Sequence, residues 1–228
     1  MTDRQTALVT GASRGIGRAI ARRLAARYAI VATARSRPEL DGLAREIEAD
    51  GGACRVIVLD VADPAAVARE LSGVEADVLI NNAGVATMKR FLELTPEEWQ
   101  RMMDVNVNAL YHVTRALLPG MVARGRGHVV TVGSLAGRNT FVGGSCYTAT
   151  KHAVIGFSES LMLEVRDAGV KVSVIMPGSV ATELTPKHGD TSWMLQSEDI
   201  AEAVWHIVDT PPRVLVSRAE IRPATPRR

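Results

Sequence analysis

The 228-residue chain carries a formal net charge of +2, with basic residues scattered among acids along its helices, a balance that disfavours nucleic acid binding. No apolar run reaches the roughly 18 residues of a membrane span, and polar Thr2, Asp3, Arg4 and Gln5 precede the first apolar run. We therefore expect no transmembrane helix, no signal peptide and a cytoplasmic protein. Two cysteines, Cys54 and Cys146, cannot build a disulfide framework, and the five histidines lack metal-ligand spacing, so no catalytic metal is expected.

Without linker, repeat or low-complexity tract, residues 1–228 read as a single domain in which apolar strands alternate with helical patterns. A strand at Ala7–Thr10 runs into a glycine turn, Thr10 to Gly17, and then a helix at Ile16–Arg27. Gly11, Gly15 and Gly17 let the backbone approach a pyrophosphate at the helix N-terminus. No Gly-Lys-Ser/Thr follows, which disfavours a nucleotide triphosphatase. The second strand, Ala29–Ala34, ends where an acidic residue would select NAD by binding the ribose 2′-hydroxyl. Here Ala34 is followed by Arg35, and Arg14 lies in the glycine turn, so two guanidinium groups can clasp a 2′-phosphate. That favours NADP(H).

A helix at Pro38–Asp50, a strand at Cys54–Leu59 ending near Asp60, and a helix at Pro64–Leu71 follow. The strand Asp77–Asn81 leads into Asn81-Asn82-Ala83-Gly84. One long helix is expected over Pro96–Arg124, with Asn106 inside it. The strand His128–Gly133 delivers Ser134, and a helix over Ser145–Ala168 carries Tyr147 and Lys151 on one face at i,i+4 spacing. A free tyrosine, with a pKa of about 10, is a poor acid–base catalyst at neutral pH, but a cation about 4 Å away favours its phenolate by roughly 4 kcal/mol at an effective dielectric near 20. The strand Lys171–Met176 ends at Pro177-Gly178, a helix is expected at Ser197–Asp209, and a last strand at Val214–Val216. Continuous apolar strands alternating with helices imply a doubly wound parallel α/β sheet with helices on both faces.

The glycine turn, Asp60, Asn81 to Gly84, Asn106, Ser134, Tyr147, Lys151 and Pro177-Gly178, in that order, resemble the short-chain dehydrogenase/reductase family from about Thr6 to Pro223. The resemblance implies a Rossmann-type sheet of about seven strands in the order 3-2-1-4-5-6-7, and a homotetramer. It implies an NADP(H)-dependent oxidoreductase interconverting a small or medium carbonyl compound and its secondary alcohol. Tyr147 would be the general acid/base, Ser134 would position the carbonyl oxygen, Lys151 would hold the nicotinamide ribose and Asn106 would serve a proton relay. The same resemblance places cofactor contacts at Gly11, Ser13, Arg14, Gly15, Ile16, Gly17, Arg35, Asp60, Val61, Asn82, Ala83, Gly84, Tyr147, Lys151, Pro177, Gly178, Val180 and Thr182. Asp60 and Val61 would face the adenine, Val180 and Thr182 the nicotinamide end.

Within the family, the segment from Ala116 and the ending Ala219-Glu220-Ile221-Arg222-Pro223 resemble the 3-hydroxy acid and serine dehydrogenases. A 3-oxoacyl-[acyl-carrier-protein] reductase is the alternative, and a catalytically idle NADPH-binding sensor the alternative of another class. Met88, Phe141, Val142, Trp193 and Met194 are candidate apolar walls for the substrate. Ala149, Ala153, Phe157 and Leu161 are candidates for a tetramer interface or for burial against the sheet. The segment Pro64–Val78 looks short for the family, as heat-stable proteins sometimes are.

Overall fold

The computed structural model describes residues 4–183 and 190–225. Seven strands form one parallel sheet: β1 Thr6–Thr10, β2 Ala29–Ala34, β3 Cys54–Val58, β4 Val78–Asn81, β5 Gly127–Val132, β6 Val170–Pro177 and β7 Arg218–Ile221. Their order is β3-β2-β1-β4-β5-β6-β7, as the family resemblance implies. Order reverses between β1 and β4, and that switch point opens a crevice at the carboxyl ends of the strands.

Successive strand residues enter opposite cores, which is why these strands read as unbroken apolar runs. Ala7 and Val9 of β1, Ile80 of β4 and Val130 of β5 pack with α1 (Gly15–Leu24), α2 (Arg37–Ala49) and α7 (Ser197–Val208). Leu8, Leu79 and Val129 face the other way, toward α3 (Pro64–Glu70), α5 (Ala109–Ala123) and α6 (Ser145–Val165).

Local chemistry sets several helix starts. The Asp63 side chain accepts from the amides of Ala65 and Ala66, with Pro64 as the first residue of α3. Thr95 and Glu98 form a capping box at α4 (Pro96–Met103).

Two expectations need correction. The helix over Pro96–Arg124 is not uniform, because residues Asp104–Asn108 between α4 and α5 form a π-helical turn. The last strand is not Val214–Val216 but Arg218–Ile221. The Val216 carbonyl is taken by the Ser173 hydroxyl at 2.7 Å, and ladder pairing with β6 begins only at Arg218. Of the four α6 candidates for an interface or for burial, Leu161 belongs to the core under the sheet and Phe157 packs against it, whereas Ala149 and Ala153 are exposed. Among the described residues, no helix is long and apolar enough to cross a membrane.

Candidate active site

A cleft of about 1090 Å³ lies along the carboxyl ends of the strands. At one end is the glycine turn. Gly11 and Gly15 have φ of +66° and +53°, a region that side-chain-bearing residues rarely adopt. A Cβ on Gly17 would run into the Gly11 carbonyl oxygen and Asn82 Nδ2, so only glycine lets α1 start this close to the loop.

Thr10 and Asn82 staple the turn to β4. The Thr10 hydroxyl accepts from the amides of Asn82 and Ala83, both at 3.0 Å, and donates to the Ile80 carbonyl at 3.2 Å. Asn82 Nδ2 donates to the Thr10 carbonyl at 2.9 Å. Arg14, the residue before α1, makes no side-chain cap, which leaves the first-turn amides to a ligand.

At the end of β2, Ala34, Arg35 and Ser36 line the cleft. Arg14 and Arg35 are exposed, and among the described residues neither forms an ion pair. Ser36 precedes α2 without capping it. Its hydroxyl is therefore not spent on the helix start. This residue was missed in the sequence, although it adjoins Arg35 at a helix start. Asp60, after β3, accepts from the Ala62 amide at 3.0 Å and pairs with Arg101 at 3.3 Å. Arg101 also lines the cleft, a placement that only the packing of α4 discloses.

The other end gathers the proton-transfer candidates. Ser134, half-buried at the end of β5, accepts from the Ala136 amide at 3.1 Å. Tyr147 is half-buried and Lys151 is only 7% exposed, both in the cleft wall. Lys151 Nζ donates to the Val132 carbonyl at 3.1 Å and lies 5.8 Å from the Tyr147 ring centroid.

Asn106 does not line the cleft. It is buried in the π-helical turn, where Oδ1 accepts from the Val85 amide at 2.8 Å while Nδ2 donates to the Val85 carbonyl at 2.9 Å and to Thr150 Oγ1 at 3.1 Å. Thr150 in turn donates to the Tyr147 carbonyl at 2.8 Å. Asn106 and Lys151 share the wall of a second, interior cavity of about 20 Å³, together with Thr131, whose buried hydroxyl has no hydrogen-bond partner among the described residues. That volume suits one water molecule among polar groups.

The remaining sequence candidates fall into place around these. Gly11, Ser13, Arg14, Gly15, Ile16, Gly17, Arg35, Asp60, Val61, Asn82, Ala83, Gly84, Pro177, Gly178, Val180 and Thr182 all line the same cleft. After β6, Val180 forms a parallel bridge with Leu195. Met88, Phe141 and Trp193 supply apolar walls. Val142 and Met194 do not line the cleft; Val142 is 80% exposed on the protein surface.

Neither cysteine belongs to this chemistry. Burial, and then the nearby Glu48 charge, push the Cys54 thiol up to about 11. Burial also raises that of Cys146, whose Sγ contacts the Trp99 carbonyl at 3.7 Å.

Residues 5–193 match the family model for short chain dehydrogenase. The chain is 36% identical over 237 aligned residues to an NADP-dependent 3-hydroxy acid dehydrogenase of Salmonella typhi, with 96% of this chain and 94% of that protein covered. It is 37% identical to a 3-oxoacyl-[acyl-carrier-protein] reductase of Escherichia coli, over 78% of this chain and 75% of that protein. Its structure resembles a closed form of serine dehydrogenase complexed with NADP+, with a TM-score of 0.89 and 35% identity, covering 95% of this chain and 94% of the other. On sequence and on structure alike, the chain belongs to the short chain dehydrogenase family.

Proposed function

We propose that the protein is an NADP(H)-dependent oxidoreductase that interconverts a small or medium carbonyl compound and its secondary alcohol, with Tyr147 as general acid/base. The observation that carries this reading is the sharing of one cleft by the glycine turn and by Ser134, Tyr147 and Lys151.

The residues present fit an NADP(H) molecule. The glycine cradle would be filled by a Cβ at Gly17, the first-turn amides of α1 are uncapped, and Arg14, Arg35 and Ser36 offer cationic and hydroxyl donors suited to a 2′-phosphate. When bound, the nicotinamide supplies or accepts the hydride.

The chain's own residues handle the proton. Ser134 Oγ positions the substrate oxygen, and the Tyr147 hydroxyl gives it a proton during reduction or takes one during oxidation. Lys151, fixed on the Val132 carbonyl, places positive charge beside the ring as charge develops on oxygen, and would hold the nicotinamide ribose. Asn106 orders the Tyr147 turn through Thr150 and walls the small polar cavity next to Lys151, a route for proton replacement. We further propose a cytoplasmic, single-domain homotetramer.

The deciding experiment is NADPH consumption with small 3-oxo acids, their esters, diketones and a 3-oxoacyl thioester, for wild type and Tyr147→Phe. Tyrosine-dependent turnover of any of them supports the reading. Preference for the thioester would favour the acyl-carrier-protein reductase alternative, while tight NADPH binding without turnover of the panel would point to the sensor.

A further inference from the structure

We propose that Arg222 selects substrate charge, its guanidinium binding the carboxylate of a small hydroxy or oxo acid at the substrate end of the cleft. This rests on the carbonyl/alcohol reading above and assigns that site its substrate class.

The backbone brings Arg222 to the site. Ile221, the last residue of β7, pairs with Pro177 of β6, and the Gly178 amide donates to the Ile221 carbonyl at 2.7 Å. Pro223 packs on the same glycine, where an added Cβ would lie 3.1 Å from the proline Cδ and 3.2 Å from Leu135 Cδ1. Arg222 is thus fixed between the Pro177-Gly178 corner and the turn that follows Ser134, and it lines the cleft.

Charge singles it out. Arg14, Arg35, Glu39, Asp60 and Arg101 lie with the glycine turn and the segments after β2 and β3; Glu183 lies over Gly15, and Lys151 is held by Val132. Arg222 is the one remaining charged side chain among the described residues lining the cleft. The other residues lining the cleft away from the glycine turn include apolar Met88, Leu135, Phe141 and Trp193 and neutral Asn139 and Thr140.

Its orientation is set by Glu220, whose Oε2 lies 2.9 Å from Arg222 Nη2, while Oε1 faces Arg138 Nε at 3.5 Å. Two guanidinium groups share one carboxylate, so this rim keeps a net positive charge. Arg222 engages Glu220 through a single nitrogen of a five-donor fork, which leaves donors for a second carboxylate. A short acid held by its carboxylate on Arg222 and by its oxygen at Ser134 and Tyr147 is fixed at both ends. Its methyl ester keeps the reacting carbonyl and loses the charged anchor.

Two measurements on wild type, Arg222→Gln and Arg222→Lys test this. One is the ratio of kcat/KM for acetoacetate to that for methyl acetoacetate, with NADPH. The other is calorimetric titration of the NADP+-bound protein with 3-hydroxybutyrate. For Arg222→Gln we expect the acid-to-ester ratio to fall and the dissociation constant for the hydroxy acid to rise, each by about 10- to 100-fold, with partial recovery in Arg222→Lys. An unchanged ratio and an unchanged dissociation constant would overturn the role of Arg222 while ester turnover left the oxidoreductase reading intact. If wild type turns over neither compound, the loss falls on that reading, and the titration still decides whether Arg222 anchors a carboxylate. Wild type that binds no hydroxy acid overturns the proposal outright.

Discussion

Lys151 Nζ is hydrogen-bonded to the Val132 carbonyl oxygen at 3.1 Å, which ties the first turns of α6 to the end of β5 directly behind Ser134. The bond makes Lys151 both an anchor and a fixed charge, and its near-complete burial leaves little room for substitution. Lys151→Met removes the cation and strands a buried carbonyl. We expect turnover to fall by about 10²- to 10⁴-fold and stability by about 1–3 kcal/mol. Tyr147→Phe removes a hydroxyl that makes no bond to another described residue. It should match the loss of turnover without the loss of stability, so single-turnover kinetics and urea unfolding of both variants separate catalysis from anchoring.

Cofactor choice should follow the charges after β2. Arg35→Asp places a carboxylate where we locate the 2′-phosphate and supplies the acidic residue that suits a ribose 2′-hydroxyl. The dissociation constant for NADPH is expected to rise by about 10- to 100-fold while that for NADH falls, measured by fluorescence titration. Ser36→Ala should weaken NADPH by a smaller factor and leave NADH unaffected. Equal weakening of both cofactors in Arg35→Asp would place the phosphate elsewhere.

Gly17 tests the cradle itself. An alanine there would press on the Gly11 carbonyl and Asn82 Nδ2, the groups that hold the turn to β4. Gly17→Ala should lower stability by about 1–3 kcal/mol, the usual cost of overpacking, and should weaken both NADPH and NADH. Thermal unfolding with and without cofactor provides the readout. Normal stability with normal binding would mean that the loop relaxes freely.

The sequence disclosed local chemistry well and tertiary adjacency poorly. Gly11, Gly15 and Gly17 announce a turn because their spacing has a backbone cause, and Tyr147 and Lys151 share a face because helical geometry demands it. Arg101 and Arg222 gave no such signal. Each reaches the cleft only through packing, Arg101 by way of α4 and Arg222 by way of the pairing of β7 with β6. The π-helical turn at Asp104–Asn108 was also invisible, because its residues suit an α-helix and the extra backbone residue shows only when the Ala109 amide bonds to Asp104. Val214, Leu215 and Val216 misled for the opposite reason: an apolar run suits a strand, but Ser173 captures its carbonyl before the ladder forms.

His128 sets the last expectation, concerning acid stability. It is a buried residue of β5, with Nε2 2.7 Å from Ser173 Oγ on β6. Because the serine hydroxyl donates to the Val216 carbonyl at 2.7 Å, Nε2 carries the hydrogen and donates to serine, with the ring neutral. Burial, and then the Lys171 charge, lower the histidine from 6.5 to about 3. The unfolded chain therefore binds a proton that the folded one refuses. The stabilising effect of the neutral ring is complete above pH 6.5 and is lost progressively as pH falls from there toward 3. At pH 5 this amounts to about 2 kcal/mol, from 1.36 kcal/mol per pH unit. His128→Gln keeps an amide donor for Ser173 and cannot titrate. Its urea midpoint should be less sensitive to pH between 7 and 5 than that of wild type, and parallel pH dependence of the two proteins would show that the ring finds water or a counter-charge when protonated.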